Sequence, residues 1–230
     1  MKRLNLMLAI ALITVCGILV SGVADAKKDK TTRYAVTITN ITRGQIISPP
    51  IVISHNKDFQ FFSLGKPAPT GLPELAEEGM TGTLEAELGT MDSVFRYKTA
   101  EPPDNFIMPG ASKTVEIETK GHFRFLSVAA MLVSSNDAFL AIRGVYARSW
   151  KDEAVDARAY DAGSELNSEL CEFVPGPTTT PCATAEAGHD PSTPEGYVYI
   201  HSGIHGMGDL DPADFDWQNP VATIMVQKVK

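Results

Sequence analysis

Apolar and polar residues alternate at every second position in residues 34–41 and again in residues 114–119. β-Branched and aromatic residues with this period are typical of strands that bury one face. Residues 123–133 are almost continuously apolar, as in a strand covered on both faces, although such a run also suits a buried helix. Proline and glycine are frequent, with 15 and 18 residues, and favour an all-β or mixed domain over a helical bundle.

Two segments have helical spacing instead. Residues 72–79 and 83–89 place leucine and alanine on one helical face, carry acidic residues early and end in glycine, which predicts two short helices. We expect these helices to pack on an edge of the sheet. Residues 151–194 are polar and rich in proline and glycine without apolar periodicity, so they are predicted to form a long loop excursion.

The N-terminus has the parts of a signal peptide. Basic residues precede an apolar run at residues 4–20, and Ala-Asp-Ala at residues 24–26 supplies small residues where a signal peptidase cleaves. This predicts a signal peptide at residues 1–26 and an exported domain, secreted or periplasmic, at residues 27–230. Lipidation at Cys16 and a retained membrane anchor are weaker alternatives, because a valine precedes that cysteine and the apolar run is short for a span.

The exported domain keeps two cysteines, Cys171 and Cys182. An even pair in an exported chain favours a disulfide. A redox or zinc pair fits poorly, because ten intervening residues match neither a C-x-x-C motif nor a usual zinc knuckle.

Negative charge is concentrated in the second half of the chain. The formal net charge is −8, and residues 137–216 hold fifteen acidic against four basic residues. Such an excess of acids argues against nucleic acid as a partner of this region and favours cations or basic surfaces.

Three of these acids form a candidate calcium site. Asp137 follows the apolar run, and Asp161 and Glu165 lie in the segment Tyr-Asp-Ala-Gly-Ser-Glu. Ca²⁺ takes several oxygen ligands at once, so the three carboxylates would bind calcium if they converge in space. From spacing alone, the alternative is that they are solvated loop acids.

A rival site consists of His201, His205 and Asp209, which are spaced four residues apart. On a helix they would share a face and could hold Zn²⁺, and a metal-dependent hydrolase is the alternative function. Three glycines between residues 203 and 208 argue against a helix and favour a tight turn with hydrogen-bonded imidazoles. Motifs for nucleophilic catalysis or nucleotide binding are absent from the sequence, so we expect a protein that is not an enzyme.

Several separated segments together resemble the spondin N-terminal domain family, found in the matrix protein F-spondin and in many exported bacterial proteins. These segments occur in order over nearly the whole exported domain, at residues 34–44, 48–50, 126–139, 160–165, 201–206 and 216–222. The resemblance implies an all-β fold, an antiparallel β-sandwich similar to calcium-dependent membrane-binding domains. In this chain it would carry short helical insertions and long loops.

The resemblance also implies a calcium site. The family's site takes one acid from an S-x-D-x-F segment and two from a D-A-G-x-D segment, which are Asp137, Asp161 and Glu165 in this chain. Glu165 stands where the family has aspartate, which lengthens that ligand by one methylene.

These observations predict an exported calcium-binding β-sandwich module that binds or adheres to an extracellular protein, a glycan or an anionic surface. Nucleic acid and an integral membrane span after signal cleavage are not expected. The alternatives are the hydrolase that uses His201, His205 and Asp209, and a purely structural secreted domain.

Overall fold

The two segments of alternating polarity are adjacent antiparallel strands, β1 (Thr31–Asn40) and β4 (Ser112–Lys120). Val36 lies opposite Val115, and both are buried on the same face of the sheet. The polar residues between the buried ones point away from the core, as the period of two requires. The alternation in the sequence therefore identified both strands.

The structure is a computed structural model that describes residues 30–102, 105–148, 152–176, 182 and 188–230. The predicted signal peptide, residues 1–26, lies outside the described residues. Within the described ranges the remaining elements are β2 (Ile51–His55), α1 (Gly71–Glu78), α2 (Gly82–Leu88), β3 (Val94–Thr99), β5 (Phe125–Met131), β6 (Ala138–Tyr146), β7 (Glu153–Asp161), β8 (Tyr199–Ile200), α3 (Pro212–Phe215) and β9 (Ala222–Lys228).

The strands pair antiparallel in the order β3-β2-β5-β6-β7-β9-β1-β4, with β8 on β7. Strand β7 belongs to both halves of this sheet, because residues 153–157 pair with β9 and residues 158–161 pair with β6. The two outer strands approach each other, and Arg96 of β3 forms a salt bridge of 3.7 Å with Glu118 of β4. The sheet is thus nearly closed into a barrel, and the predicted all-β antiparallel class is confirmed.

The main core lies between the two halves of the sheet. Val36 and Ile224 from one half pack in the same cluster as Val128 and Leu140 from the other, and all four are buried. Burial of each such side chain contributes roughly 1.5–3 kcal/mol. The apolar run at residues 123–133 contains strand β5 and not a helix, and its alternate residues serve two clusters on opposite faces.

The two predicted helices are present as α1 and α2. They cover the outer face of β2, β5 and β6, where Leu72 and Leu84 pack with Ile51 and Phe139. The expectation that they pack on a sheet edge is wrong for α1, which contacts the central strands β5 and β6, because these strands are apolar on both faces and need cover. Helix α2 does contact the outer strand β3.

The prediction of a long loop at residues 151–194 is wrong for the start of this range, because residues 153–161 form β7. The buried positions of this strand include Ala157 and Ala159, whose small side chains give only a weak apolar pattern. The predicted disulfide between Cys171 and Cys182 is confirmed, with the two Cα atoms 4.6 Å apart.

Candidate metal centre

Asp137 lies in the short connection between β5 and β6, as the sequence predicted. The connection is shaped by Ser135, whose hydroxyl donates to the carbonyl of Leu132 at 2.6 Å and accepts from the amide of Ala138 at 3.1 Å. This serine-centred turn directs the Asp137 side chain inward, where it is 0% exposed.

The two oxygens of Asp137 are used unequally. Oδ2 accepts from the amide of Ser164 at 2.8 Å, from its hydroxyl at 3.3 Å and from the amide of Glu165 at 3.1 Å. Oδ1 is buried and accepts no hydrogen bond from the residues that the structure describes. Buried acceptors nearly always have a partner, so this oxygen needs an explanation.

Asp161 ends β7 and lies beside Asp137. The amide of Ala162 donates to the carbonyl of Asp137 at 3.1 Å, and Ala138 lies opposite Asp161 in the β6–β7 register. The side chain of Asp161 is 0% exposed, and its Oδ1 accepts from the amide of Gly163 at 2.7 Å. Gly163 has a φ of +66° and leaves no room for a side chain against the backbone of Tyr197, so this turn requires glycine.

Burial raises the pKa of Asp137 well above its usual range, and the charge of the neighbouring Asp161 raises it further. Burial likewise raises the pKa of Asp161 to about 6, although hydrogen bonds from Asn167, Tyr199 and Gly163 oppose this change. Ionisation of both buried carboxylates without a nearby cation therefore lowers the stability of the fold.

Glu195 is a third acid whose charge acts on this pair, and sequence reasoning missed it. Among the residues that the structure describes, these three acids do not bring one carboxylate oxygen each to within 4.8 Å of one another. Its charge contributes to the raised pKa values of both Asp137 and Asp161, and its Oε2 is buried without a hydrogen bond from the described residues. The amide of Gly196 donates to the carbonyl of Gly163 at 2.9 Å and brings this loop against the site. Glu195 stands in a loop between proline and glycine, and no motif of the sequence identifies it.

The backbone amide of Glu165 donates to Asp137, but the side chain of Glu165 contacts Asp190 and His189 instead. Its Oε1 accepts from the amide of Asp190 at 2.8 Å and lies 3.0 Å from Nδ1 of His189. The structure thus brings Asp137 and Asp161 together, whereas the carboxylate of Glu165 joins a neighbouring cluster. That the three acids form one ligand set stays a prediction.

A chain of three polar side chains, the half-buried Asn167 and Tyr199 and the buried His201, holds Asp161 in place. Asn167 Nδ2 donates to Asp161 Oδ2 at 2.6 Å and to the hydroxyl of Tyr199 at 2.9 Å. His201 Nδ1 accepts from the amide of Gly203 at 3.0 Å, so Nε2 carries the proton and donates to Asn167 Oδ1 at 3.0 Å. Burial lowers the pKa of His201 to about 4, so the imidazole is neutral in this chain at physiological pH.

The rival group of His201, His205 and Asp209 has no common site. His205 Nε2 lies 2.8 Å from the Ser202 hydroxyl, and Asp209 Oδ2 accepts from the amide of Cys171 at 2.9 Å. In the described ranges, the ligand atoms of these three residues do not gather closely enough to hold one ion. The predicted glycine turn with hydrogen-bonded imidazoles is confirmed, and no helix forms at residues 201–208.

Glu169 organises this glycine turn and was also missed by sequence reasoning. Its side chain is 2% exposed, Oε1 accepts from the amide of His205 at 2.6 Å and Oε2 from the amide of Met207 at 2.8 Å. The carboxylate therefore satisfies backbone amides of a segment that has no strand partner.

Comparison with known protein families gives one match. The family model described as Spondin_N matches residues 40–190, about two thirds of the chain. The chain belongs to the spondin N-terminal domain family. The match includes Asp137, Asp161 and Glu165 and ends before Glu195 and His201.

The spondin N-terminal domain is an extracellular-type module and not a known enzyme family. Together with the disulfide, membership indicates an exported protein. No helix within the described part of the chain combines the length and apolar character needed to cross a membrane. A search of curated proteins gives no match.

Proposed function

We propose that this spondin domain binds one Ca²⁺ at Asp137 and Asp161 and serves as a calcium-stabilised binding or adhesion module outside the cell. The observation that carries the proposal is the buried Oδ1 of Asp137, which has no hydrogen-bond donor among the described residues and lies beside a second buried carboxylate. A cation would satisfy this oxygen and offset the repulsion between the two charges.

The donor set favours calcium over softer metals. Both acids and their neighbour Glu195 offer only oxygen, the ligand that Ca²⁺ prefers, whereas Zn²⁺ is usually held by histidine or cysteine as well. A calcium shell needs six or more oxygens, so a third acid and backbone or water oxygens would complete it. Glu165, implied by the family resemblance, and Glu195, whose charge reaches both aspartates, are the two candidates for the third acid.

Complete burial of both aspartates supports a particular role for the ion. Calcium held there would join the β5–β6 connection to the turn that follows β7, through side chains that are 0% exposed. In this proposal the ion fixes loops that form the binding surface, and it does not contact the external protein, glycan or anionic surface directly.

Isothermal titration of the purified exported protein with CaCl₂ tests the proposal. We expect one site, with Asp137→Asn abolishing the heat of binding and Asp156→Asn leaving it unchanged. Asp156 is a matched control because it is an exposed aspartate on β7, the strand that Asp161 ends. No binding at millimolar calcium, the weak limit of extracellular sites, would overturn the proposal.

The third acid can be identified in the same experiment. Glu165→Gln and Glu195→Gln each remove one candidate carboxylate while keeping the shape and one acceptor oxygen. The variant that weakens calcium binding identifies the third ligand, and unchanged affinity in both would limit the acidic ligands to the two aspartates.

A further inference from the structure

The carboxylate of Glu165, one candidate for the third calcium ligand, lies in a cluster with Glu77 and His189, two residues that the calcium proposal does not use. Nδ1 of His189 lies 3.0 Å from Oε1 of Glu165 and 3.2 Å from Oε2 of Glu77. One possible ligand atom from each of the three residues lies within 4.8 Å of the other two. Glu77 comes from α1, Glu165 from the turn after β7, and His189 from the loop that follows in the chain. Three separate parts of the fold therefore bring one ligand atom each to the same point.

We propose that Glu77, Glu165 and His189 form a second metal site, which takes a divalent transition metal such as Zn²⁺. The inference does not depend on calcium binding, because neither Asp137 nor Asp161 takes part in this cluster. It assigns to the Glu165 carboxylate a role other than calcium coordination.

The spacing of the ligand atoms suits this metal. Zn²⁺ binds nitrogen and carboxylate oxygen at about 2.0–2.2 Å, so two ligands of a tetrahedral site lie roughly 3.4 Å apart. The two distances from His189 Nδ1, 3.0 and 3.2 Å, need only a small adjustment to reach this value. The two contacts of His189 are therefore already close to the spacing that the ion requires.

An independent observation also indicates a missing ligand. Glu165 is 2% exposed, and its Oε2 is buried without a hydrogen-bond donor among the described residues. The amide of Asp190 holds Oε1 at 2.8 Å and so orients the carboxylate, as partners of metal ligands commonly do. A metal ion held by both oxygens of the Glu165 carboxylate would satisfy Oε2, whereas a protonated His189 in contact with Oε1 leaves Oε2 unsatisfied.

The chemistry of the donors separates this site from the calcium site. An imidazole nitrogen is a good ligand for Zn²⁺ and related ions and a poor one for Ca²⁺. Two carboxylates and one neutral imidazole balance the charge of a divalent ion. The His189 side chain is 62% exposed, so solvent can reach the ion and supply a water as fourth ligand. Metal bound here would cross-link α1 to the His189 loop.

Titration with Zn²⁺, and with Co²⁺ monitored by visible absorption, tests the site. We expect one zinc ion per chain and the intense visible bands of tetrahedral Co²⁺ in the unmodified protein. His189→Ala should lower zinc affinity by at least about a hundredfold, since loss of residues that merely orient a ligand already costs roughly 10–100-fold. Glu77→Gln, which leaves the buried Glu165 unchanged, should also weaken zinc binding.

His205→Ala is the matched control, because His205 is an exposed histidine outside the cluster and a member of the rival zinc group. Its zinc affinity should equal that of the unmodified protein. Equal zinc binding in the unmodified protein and in His189→Ala would overturn the inference, as would loss of binding in His205→Ala alone. Asp137→Asn should lose calcium and keep zinc, so failure of one proposed site is distinguishable from failure of the other.

Discussion

Glu169 and Asp137 are both buried carboxylates, but their oxygens have different surroundings. Each oxygen of Glu169 accepts from a backbone amide, at 2.6 Å from His205 and 2.8 Å from Met207. Asp137 receives all of its hydrogen bonds on Oδ2 and keeps Oδ1 without a donor among the described residues. Both oxygens of Glu169 are satisfied by the fold itself, whereas Oδ1 of Asp137 is the oxygen that the proposed calcium ion would bind.

The difference follows from what surrounds each acid. The glycine turn beside Glu169 lies outside the strands, so its amides have no strand partner and need an acceptor. Asp137 meets the amides of a turn from one side and the acid Asp161 from the other. Backbone amides satisfy both oxygens of Glu169, whereas the repulsion between Asp137 and Asp161 is relieved only by a proton or by a cation.

The largest expected effect is on the stability of Glu169→Ala. Hydrogen bonds to a charged acceptor contribute about 1.5–3 kcal/mol each, so the loss of two should lower the free energy of unfolding by about 3–6 kcal/mol. Urea denaturation measures this loss, which should be equal in calcium and in chelator. Glu169→Gln keeps one acceptor and should lose less. A loss that disappears when calcium is added would contradict a purely structural role for Glu169.

Asp137→Asn should show the opposite dependence on calcium. In chelator we expect little destabilisation, because the amide keeps an acceptor oxygen and removes a buried charge next to Asp161. In calcium at 100 times its dissociation constant, the unmodified protein gains about 2.7 kcal/mol that the variant lacks. Thermal melts with and without calcium measure this difference, and Asp156→Asn serves again as the control. Equal calcium-induced shifts in all three proteins would remove Asp137 from the site.

Stability in chelator should depend on pH in a way that identifies the aspartate pair. The folded pKa values of Asp137 and Asp161, about 6 for the latter, lie above the ordinary values near 4. The folded state therefore binds more protons than the unfolded state in this interval, and the free energy of unfolding falls as pH rises from about 4 to 7. Saturating calcium should remove the part of the fall that the aspartate pair causes, because the ion replaces the protons. Burial raises the pKa of Glu165 to about 7, so Glu165 adds a fall of its own in the same direction, which cancels when Asp137→Asn is compared with the unmodified protein.

His201 changes the free energy of unfolding in the opposite direction over the same pH range. Its pKa is lowered to about 4 in the folded state, so its contribution to stability is lost as pH falls below its ordinary value near 6.5. When the free energy of unfolding of Asp137→Asn is subtracted from that of the unmodified protein, the contribution of His201 cancels, since both proteins contain His201. A difference that stays constant from pH 4.5 to 7.5 would contradict the raised pKa of Asp137.

The sequence predicted those strands in which large buried side chains alternate with polar ones. Strands β1 and β4 were identified because each buries large side chains at every second position, and α1 and α2 because of their leucine spacing. Strand β7 was missed, since Ala157 and Ala159 are buried without an apolar signal large enough to stand out.

The site was predictable only in part, for a related reason. The family resemblance indicated Asp137 and Asp161, which follow recognisable segments at strand ends. Glu195 and Glu169 reach their positions through long-range backbone bonds, from Gly196 to Gly163 and from Asp209 to Glu169. No local pattern encodes such contacts, so the roles of these acids emerge only once the loops are placed.

The smallest expected effect is on residues that hold Asp161 without joining the pair. Asn167→Ala removes the 2.6 Å hydrogen bond to Asp161 Oδ2 and the acceptor of His201, so the carboxylate loses its fixed orientation. We expect calcium affinity to fall about tenfold, the low end for partners of metal ligands. Titration of Tyr199→Phe should show a smaller loss, because this variant loses the hydroxyl that bonds to Asn167 and Asp161 but keeps the 2.6 Å hydrogen bond between Asn167 and Asp161. If Asn167→Ala binds calcium as tightly as the unmodified protein, the polar chain stabilises the fold and does not prepare Asp161 for the ion.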